Sequence, residues 1–192
     1  MEKGESENSC SLNLYPLTFL LNYEPNGGEF VKVLWAPWRM EYILSDKQDS
    51  CFLCDAAMGN PSEENLLLYR NESALAIMNR YPYNNGHILV APVAHTSDLS
   101  DLTQREYQET MELFRFSLKA LEKLMQPEGF NAGLNLGKTG GAGLEEHVHF
   151  HVVPRWHGDT NYMPVVSGTR VIPEALVETY QAIKPMFEEY GK

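Results

Sequence analysis

Three histidines alternate with apolar residues in the C-terminal third of the chain. They are His147, His149 and His151, within the segment HVHFHVV. In an extended strand successive side chains point to opposite faces, so this spacing directs the three imidazoles to one side and the intervening apolar residues to the other. Imidazole titrates near neutral pH and can serve as nucleophile, proton donor or metal ligand. The pattern predicts a strand, at roughly residues 146–153, with one reactive face and one core face.

A glycine-rich loop precedes these histidines. The segment NLGKTGGAGLEE, residues 135–146, places four glycines around Lys138 and Thr139. Glycines let main-chain N–H groups approach an anion closely, as phosphate-binding loops do. A solvated face or a metal-binding tract remain alternatives for the histidines taken alone. Loop and strand together favour a phosphate site beside the strand.

Several motifs carry a resemblance to a known family. The segment HVHFHVV, the NLG and GAG before it and the earlier NRYPYNNGHILVAPVAH resemble the histidine-triad (HIT) superfamily of nucleotidyl hydrolases and transferases. LWAPWRMEYI and VVPRWHGDTNYMPVVSGTRVIPE are similar to the bacterial branch that includes diadenosine tetraphosphate phosphorylase. The resemblance spans roughly residues 33–187. It implies a HIT domain over residues 33–192 and an extension, residues 1–32, that is partly disordered or an oligomer arm.

The resemblance implies a role for each histidine of the triad. His149 would attack an α-phosphorus and form a covalent nucleotidyl-histidine, which splits one difficult displacement into two easier ones. His151 would contact the phosphate and help to protonate the leaving group, and His147 would hold the geometry of the site. Transfer at phosphorus depends mainly on positioning and on donors aimed at developing charge. The N–H groups around Gly141 and Gly143 are therefore expected to matter as much as the bases.

The segment from Ser73 to Pro92 reads as a β-hairpin, because apolar runs flank YPYNNG and Asn-Gly is a strong turn signal. By resemblance this region and the glycine loop bind the nucleotide. Asn79 would hydrogen-bond the ribose, although an asparagine at a turn is more often structural, and His87 would support the triad. The remaining nucleotide-binding candidates are Ile77 and Leu89 as walls of a base pocket, together with Asn135, Gly141 and Gly143.

Cys51 and Cys54 form a C-x-x-C pair, which by itself fits a redox pair, a zinc site or two buried thiols. No strand pattern precedes SCFLCDAAMGNP, which argues against a thioredoxin-like redox site. Related histidine-triad and uridylyltransferase proteins complete a zinc site with two histidines, which here would be His95 and His147. Two cysteines and two histidines make a closed, structural zinc site. We therefore expect structural Zn²⁺ and no organic cofactor.

Composition limits the partners and the compartment. The net charge of -11, with only 15 Lys and Arg residues, is unfavourable for binding nucleic acid, whereas small nucleotides remain compatible through local donors. No run approaches the length of a membrane span. SLNLYPLTFLL is the nearest match to the apolar region of a signal peptide, but the acidic stretch before it and the Tyr-Pro within it argue against one. Three cysteines fit a reducing cytoplasm better than a disulfide framework.

The aromatic segment near residue 34 has two interpretations. Trp35, Trp38 and Tyr42 suit either a subunit contact or ordinary core packing, and Arg39 would reach either the phosphate site or a carboxylate. The loop residues Trp156 and His157 could close the pocket, but as a loop residue His157 is expected to be exposed.

Periodicity predicts two helices. TQRE forms a capping box at Thr103 for a helix that runs to about Met125, where Pro127 and Gly129 end it. Its apolar stripe is predicted to comprise Tyr107, Met111, Phe114, Leu118, Leu121 and Met125. A further strand is expected at roughly residues 132–136, and a terminal helix near Pro173. The result is an α+β domain with an antiparallel sheet of about five strands, a long helix and a C-terminal helix. By resemblance it forms a homodimer, possibly within a higher homo-oligomer.

The resemblance implies an enzyme that cleaves dinucleoside polyphosphates, of the diadenosine tetraphosphate type, with phosphate or water as acceptor. One departure affects the leaving-group contacts. Many family members carry Gln and Ser or Thr donors before the first histidine, where this chain has Gly143 and Leu144. Hydrolysis of an adenosine phosphoramidate uses the same nucleophile and is an alternative. A nucleotide-binding protein with vestigial catalysis is another, and it predicts binding without turnover.

Overall fold

The structure, a computed structural model, describes residues 50–159 and 176–191. The extension 1–32, the residues of the aromatic segment (Trp35, Trp38, Arg39 and Tyr42) and Pro173, near which the terminal helix was expected to begin, lie outside the described residues. The boundary at residue 33 therefore stays a prediction.

Five antiparallel strands form one sheet in the order β1-β2-β3-β5-β4, with β4 at one edge. This confirms the α+β class, the five-stranded sheet, the long helix and the C-terminal helix. Three elements, α1 (Phe52–Met58), β1 (Leu67–Arg70) and a 3-10 turn (Leu99–Asp101), were not predicted. In chain order the elements are α1 (Phe52–Met58), β1 (Leu67–Arg70), β2 (Ala74–Met78), β3 (Ile88–Pro92), a 3-10 turn (Leu99–Asp101), α2 (Gln104–Met125), β4 (Gly129–Leu134), β5 (Phe150–Arg155) and α3 (Leu176–Tyr190).

The long helix α2 begins as predicted. Thr103 accepts a hydrogen bond from the Glu106 N–H, and the Glu106 side chain accepts one from the Thr103 N–H, which completes the capping box. The helix ends at Met125, and the capping residue Gln126 has a left-handed backbone before Pro127. Neither α2 nor any other helix in residues 50–159 and 176–191 is long and apolar enough to cross a membrane.

The predicted apolar stripe of α2 does not coincide with the face of the helix that is buried against the sheet. Tyr107 is 43% exposed, whereas Leu121 is buried. Met111, Phe114, Leu118 and Met125 are half-buried at the sides of the contact. The most buried line consists largely of small side chains, which let the helix lie close to the sheet: Thr110, Leu113, Ser117 and Ala120. Of the predicted stripe, only Leu121 lies at the centre of the contact, and Met111, Phe114, Leu118 and Met125 flank it.

The predicted hairpin consists of β2 and β3, paired from Ala74 opposite Pro92 to Met78 opposite Ile88. All ten residues of the two strands are buried. At the end of the turn the His87 N–H donates to the Asn84 carbonyl at 3.2 Å. Gly86 has φ +76°, and a Cβ there would lie 2.7 Å from Met125 Sδ. The glycine thus serves both the turn and the close approach of α2.

The strand that carries the histidines begins later than predicted. It spans Phe150–Arg155, so His151 is within it while His147 and His149 precede it. The pairing of Val90 with Phe150 places Pro92 opposite residue 148. Proline has no N–H to continue the ladder. Instead, the Val148 N–H donates to the Thr96 carbonyl at 2.7 Å, beyond the end of β3.

Strand β4 also begins earlier than expected, since it spans Gly129–Leu134 and not 132–136. The apolar residues that alternate with the histidines face the core, as predicted. Phe150 packs against Phe114 of α2 with 5.4 Å between ring centroids, and Val148 and Val152 are buried. The late start of β5 therefore changes the hydrogen bonding of the triad segment but not its buried apolar face.

Candidate functional site

His149 is 5% exposed and is held by a main-chain contact. Its Nδ1 lies 2.8 Å from the His147 carbonyl oxygen. A carbonyl can only accept, so Nδ1 carries the proton and Nε2 keeps its lone pair. Burial lowers the pKa of His149 from its ordinary value, and the hydrogen bond to His147 opposes this shift only in part. At neutral pH this imidazole is uncharged and can act as a nucleophile at Nε2.

His151 has the opposite tautomer, and a short chain of hydrogen bonds determines it. The Tyr83 N–H donates to His87 Nδ1 at 3.0 Å, so that nitrogen has no proton. The proton of His87 is then on Nε2, which lies 3.0 Å from His151 Nδ1 and donates to it. His151 therefore carries its own proton on Nε2. The rings of His149 and His151 are 5.0 Å apart, so a lone pair and a proton donor lie side by side.

Tyr83 also supports this pair with its side chain. Its ring stacks on His87 at 4.8 Å between centroids and 19° between planes. It also lies 5.6 Å from the His151 ring. Sequence reasoning missed Tyr83 as a site residue. The signal was present in YPYNNGH, where an aromatic residue stands four positions before His87.

Asn79 lies against His87 and within the turn. Its Oδ1 accepts a hydrogen bond from the Tyr81 N–H at 2.9 Å, and its Nδ2 lies 3.2 Å from His87 Nδ1. Ile77 pairs with Leu89 across β2 and β3, and Leu89 pairs with His151. The two apolar residues are 5% and 3% exposed, respectively. They adjoin the triad but present little accessible surface for a base.

The glycine loop is closed by its own hydrogen bonds. The Gly141 N–H donates to the Lys138 carbonyl at 3.0 Å, and the Ala142 N–H donates to the Gly137 carbonyl at 3.2 Å. Asn135 Nδ2 donates to the Gly141 carbonyl at 3.5 Å. The N–H of Gly141, expected to face a phosphate, is thus used within the loop in this conformation, while Gly143 is exposed.

A second cluster brings together Cys51, Cys54, His95 and His147. Their donor atoms all lie within 4.8 Å of one another. Cys51 Sγ is 3.3 Å from His147 Nδ1, and Cys54 Sγ is 3.2 Å from His95 Nδ1. Burial, with smaller contributions from Cys51 and Asp55, raises the pKa of Cys54 to about 11. That thiol is protonated at neutral pH unless a cation displaces its proton.

His147 connects the two clusters. Its Nε2 lies 2.9 Å from the Pro92 carbonyl and must donate to it, which leaves the Nδ1 lone pair directed at the thiols. Its carbonyl oxygen meanwhile accepts the Nδ1–H of His149. His147 is fully buried, and burial lowers its pKa. The side chain thus belongs to the cysteine cluster, whereas the main chain orients the neighbouring histidine.

The other histidine considered from the sequence, His157, is exposed as expected. Its N–H donates to Glu128 Oε1 at 2.9 Å. It therefore offers a matched control for substitutions in the triad.

Comparisons with known proteins agree with this geometry. The HIT domain family model matches residues 60–158. The AP-4-A phosphorylase of Mycobacterium tuberculosis is 38% identical over 154 residues, which cover 76% of this chain and 79% of that protein. The asymmetrical bis(5'-nucleosyl)-tetraphosphatase of Schizosaccharomyces pombe is 31% identical over 93 residues, 48% of this chain and 50% of that protein.

Among solved structures, a zinc-bound histidine triad family protein from Mycobacterium smegmatis matches with a TM-score of 0.56. It is 24% identical, and the match covers 74% of this chain and 96% of that one, which shows a shared fold. From the family model, the phosphorylase relative and the fold, the chain belongs to the HIT domain family.

Proposed function

We propose that the chain is a nucleotidyl-transfer enzyme that cleaves dinucleoside polyphosphates at the α-phosphorus through a covalent nucleotidyl-His149. The observation that carries the proposal is the pairing of a neutral His149, with its lone pair on Nε2, and a His151 that is protonated on Nε2. A nucleophile beside a hydrogen-bond donor that can stabilise the leaving oxygen suits displacement at phosphorus. The resemblance to the mycobacterial AP-4-A phosphorylase supports this substrate class.

In the first half-reaction His149 Nε2 attacks the α-phosphorus. A nitrogen–phosphorus bond forms while the bond from phosphorus to the bridging oxygen breaks, and the electron pair goes to the leaving nucleotide. The His151 Nε2–H donates a hydrogen bond to that oxygen and stabilises the negative charge that develops there, which lowers the barrier to departure. The hydrogen bond from His87 to His151 Nδ1 keeps the donating nitrogen on the correct side of the ring.

In the second half-reaction the acceptor, phosphate or water, replaces the departed nucleotide beside His151, and a proton lost by water passes to solvent. The acceptor oxygen attacks phosphorus, the nitrogen–phosphorus bond breaks and His149 regains its lone pair. Inorganic phosphate yields a nucleoside diphosphate, and water yields a nucleoside monophosphate. The products of the second half-reaction therefore identify the acceptor.

The test is product formation from diadenosine tetraphosphate with and without inorganic phosphate, resolved by chromatography. Phosphate-dependent ADP plus ATP identifies a phosphorylase, and phosphate-independent AMP plus ATP identifies a hydrolase. We expect His149→Ala to lose at least about 10³-fold in kcat. The exposed His157→Ala variant is the matched control and should keep wild-type rates. Full turnover by His149→Ala, or none by the wild type, would refute the proposal.

We also propose that Cys51, Cys54, His95 and His147 hold a structural zinc ion. The usual zinc bond lengths and a tetrahedral angle place sulfur and nitrogen ligands about 3.6 Å apart. Three of the four sulfur–nitrogen distances within the cluster are 3.2, 3.3 and 3.6 Å, close to that value. Zinc bound there would join the start of α1 to the triad segment and supply stability, not a step of the chemistry.

Metal analysis of purified, reduced protein tests the zinc proposal. We expect about one zinc per chain, and its loss in Cys51→Ser and Cys54→Ser together with a lower Tm. The third cysteine, Cys10, lies outside the described residues, and Cys10→Ser is the matched control with full zinc content. A wild-type stoichiometry near zero would exclude the site. The homodimer and the cytoplasmic location remain predictions, the first of which light scattering can test.

A further inference from the structure

The ring of Tyr83 covers one face of His87. The two rings are stacked, with 4.8 Å between their centroids and 19° between their planes. The same tyrosine ring lies 5.6 Å from the His151 ring. His87 is fully buried, and its Nε2 lies 3.0 Å from His151 Nδ1. Tyr83 therefore contacts both partners of the hydrogen bond that determines the tautomer of His151.

The His87 ring needs restraint in two directions, because the torsion that rotates an imidazole has broad minima. Within the ring plane, His87 Nδ1 accepts a hydrogen bond from the Tyr83 N–H at 3.0 Å, and Asn79 Nδ2 lies 3.2 Å from the same atom. Hydrogen bonds at both ends of the ring still allow it to tilt about the line that joins its two nitrogens. A flat ring stacked on the imidazole resists that tilt, because one edge would move into the tyrosine whichever way the imidazole turned.

The turn that carries Tyr83 is anchored through the next residue. Asn84 is 6% exposed, and its Nδ2 donates to the Pro154 carbonyl at 3.0 Å and to Asp159 Oδ2 at 2.9 Å. Pro154 belongs to β5, the strand that carries the third histidine of the triad. The main chain at Tyr83 is thus tied to β5, which keeps its ring within reach of His87.

We propose that Tyr83 is a positioning residue, whose ring holds the imidazole plane of His87 in line with His151 Nδ1. The inference rests on the function proposed above, in which the His151 Nε2–H stabilises the leaving group. While His87 is held, the proton of His151 stays on Nε2. Without the tyrosine ring His87 tilts, its hydrogen bond to His151 weakens, and the proton of His151 is shared between the two ring nitrogens.

Two substitutions at residue 83 separate the ring from the hydroxyl and from the main chain. Tyr83→Phe keeps the stacked ring and Tyr83→Leu removes it, while both retain the N–H that donates to His87. Tyr107→Leu is the matched control, because Tyr107 is 43% exposed on α2. Circular dichroism and Tm establish that each variant is folded.

The first readout is the exchange with water of the proton on His87 Nε2, observed by NMR in protein with isotope-labelled histidine. A buried, hydrogen-bonded proton exchanges only when its site opens. We expect exchange in Tyr83→Leu to be at least about tenfold faster than in the wild type, with Tyr83→Phe and Tyr107→Leu within about twofold of it. An unchanged rate in Tyr83→Leu, or the same acceleration in Tyr83→Phe, would refute a role for the ring. An unprotected proton in the wild type would refute it as well, and that result does not depend on how any variant folds.

The second readout compares two leaving groups. The p-nitrophenolate ion leaves readily without a hydrogen-bond donor, whereas the amine of an adenosine phosphoramidate depends on one. We expect Tyr83→Leu to lower kcat for the phosphoramidate by at least about tenfold and kcat for the p-nitrophenyl ester of AMP by no more than about twofold. Tyr83→Phe should match the wild type on both. Equal losses on the two substrates would mean that Tyr83 serves the fold or the binding of the nucleotide, which overturns the positioning role.

The exchange measurement separates this inference from the proposed function, because it needs neither substrate nor turnover. An inactive wild type would refute the proposed function, and the exchange rates would still decide whether the ring of Tyr83 holds His87. Full activity in both the wild type and Tyr83→Leu, with equal exchange rates, would refute the inference and leave the proposed function in place.

Discussion

His149 Nδ1 lies 2.8 Å from the carbonyl oxygen of His147. The acceptor is a main-chain group, which does not titrate, so the neutral form of His149 always has its proton on Nδ1. The same residue His147 points its side chain at Cys51, at 3.3 Å. His147 therefore links the nucleophile, through its carbonyl oxygen, to the cysteine cluster, through its side chain.

The first prediction concerns the acid limb of the rate profile. Burial lowers the pKa of His149 from 6.5, so protonation, which removes the nucleophile, requires a pH below that value. We expect kcat/KM to be flat through neutral pH and to fall only below pH 6.5. A cation bound to His147 would shift the limb further in the same direction. The profile of His157→Ala should coincide with it, and a limb centred above 6.5 would contradict the burial argument.

Local patterns predicted parts of the fold correctly. The capping box of α2 needs only Thr103 and Glu106, and the hairpin needs only Asn-Gly between apolar runs. The cluster of Cys51 with His147 joins residues 96 positions apart, and it was expected from the family resemblance and not from spacing. The family resemblance therefore predicted a contact between residues that are far apart in the sequence.

Features that depend on the opposite strand or the facing sheet were not predictable. The start of β5 is set by Pro92, which lies on another strand and ends the ladder. The buried line of α2 follows small residues such as Ala120, because the approach of the helix to the sheet decides what is covered. Tyr83 joins the site only when the turn folds its ring over His87. In each case the deciding contact is absent from the local sequence.

The second prediction concerns the capping box. Thr103→Ala removes the acceptor for the Glu106 N–H and should lower the free energy of unfolding by about 1 kcal/mol. Thr103→Ser keeps the hydroxyl and is the control.

Hydrogen bonds from Thr103 lower the pKa of Glu106. The charged form of Glu106 therefore stabilises the fold above the pKa of the unfolded chain, and this stabilisation is lost as pH falls through the pKa of the folded protein. Urea titrations of wild type and Glu106→Gln should therefore converge on acidification, and a constant difference would contradict this.

A third prediction concerns the interface between α2 and the sheet. Thr110 is 1% exposed, and its hydroxyl has no hydrogen-bond partner within the part of the chain that the structure describes. An unpaired buried hydroxyl costs free energy, so Thr110→Val should raise the free energy of unfolding by about 1 kcal/mol. Ser117→Ala is the contrasting control, because its hydroxyl donates to the Leu113 carbonyl at 2.8 Å and its loss should not stabilise. Chemical denaturation measures both, and an unchanged or lower stability of Thr110→Val would show that the hydroxyl is satisfied.

The last prediction separates proton donation from binding. His87 donates to His151 Nδ1 at 3.0 Å and so keeps the proton of His151 on Nε2. His87→Phe conserves the stacked ring against Tyr83 but removes that donor. For an adenosine phosphoramidate, whose amine is a far poorer leaving group than a nucleoside polyphosphate or p-nitrophenolate, we expect kcat to fall by about 10²-fold, the lower part of the range for general acid catalysis.

A p-nitrophenyl ester of AMP carries a leaving group that departs without a proton, so the same variant should lose no more than about threefold on it. His157→Phe, at an exposed position, should match the wild type on both substrates. Because the two substrates share the α-phosphate and the nucleophile, equal losses on both would mean that His87 serves the fold or the binding of the nucleotide and not the hydrogen bond from His151 to the leaving group.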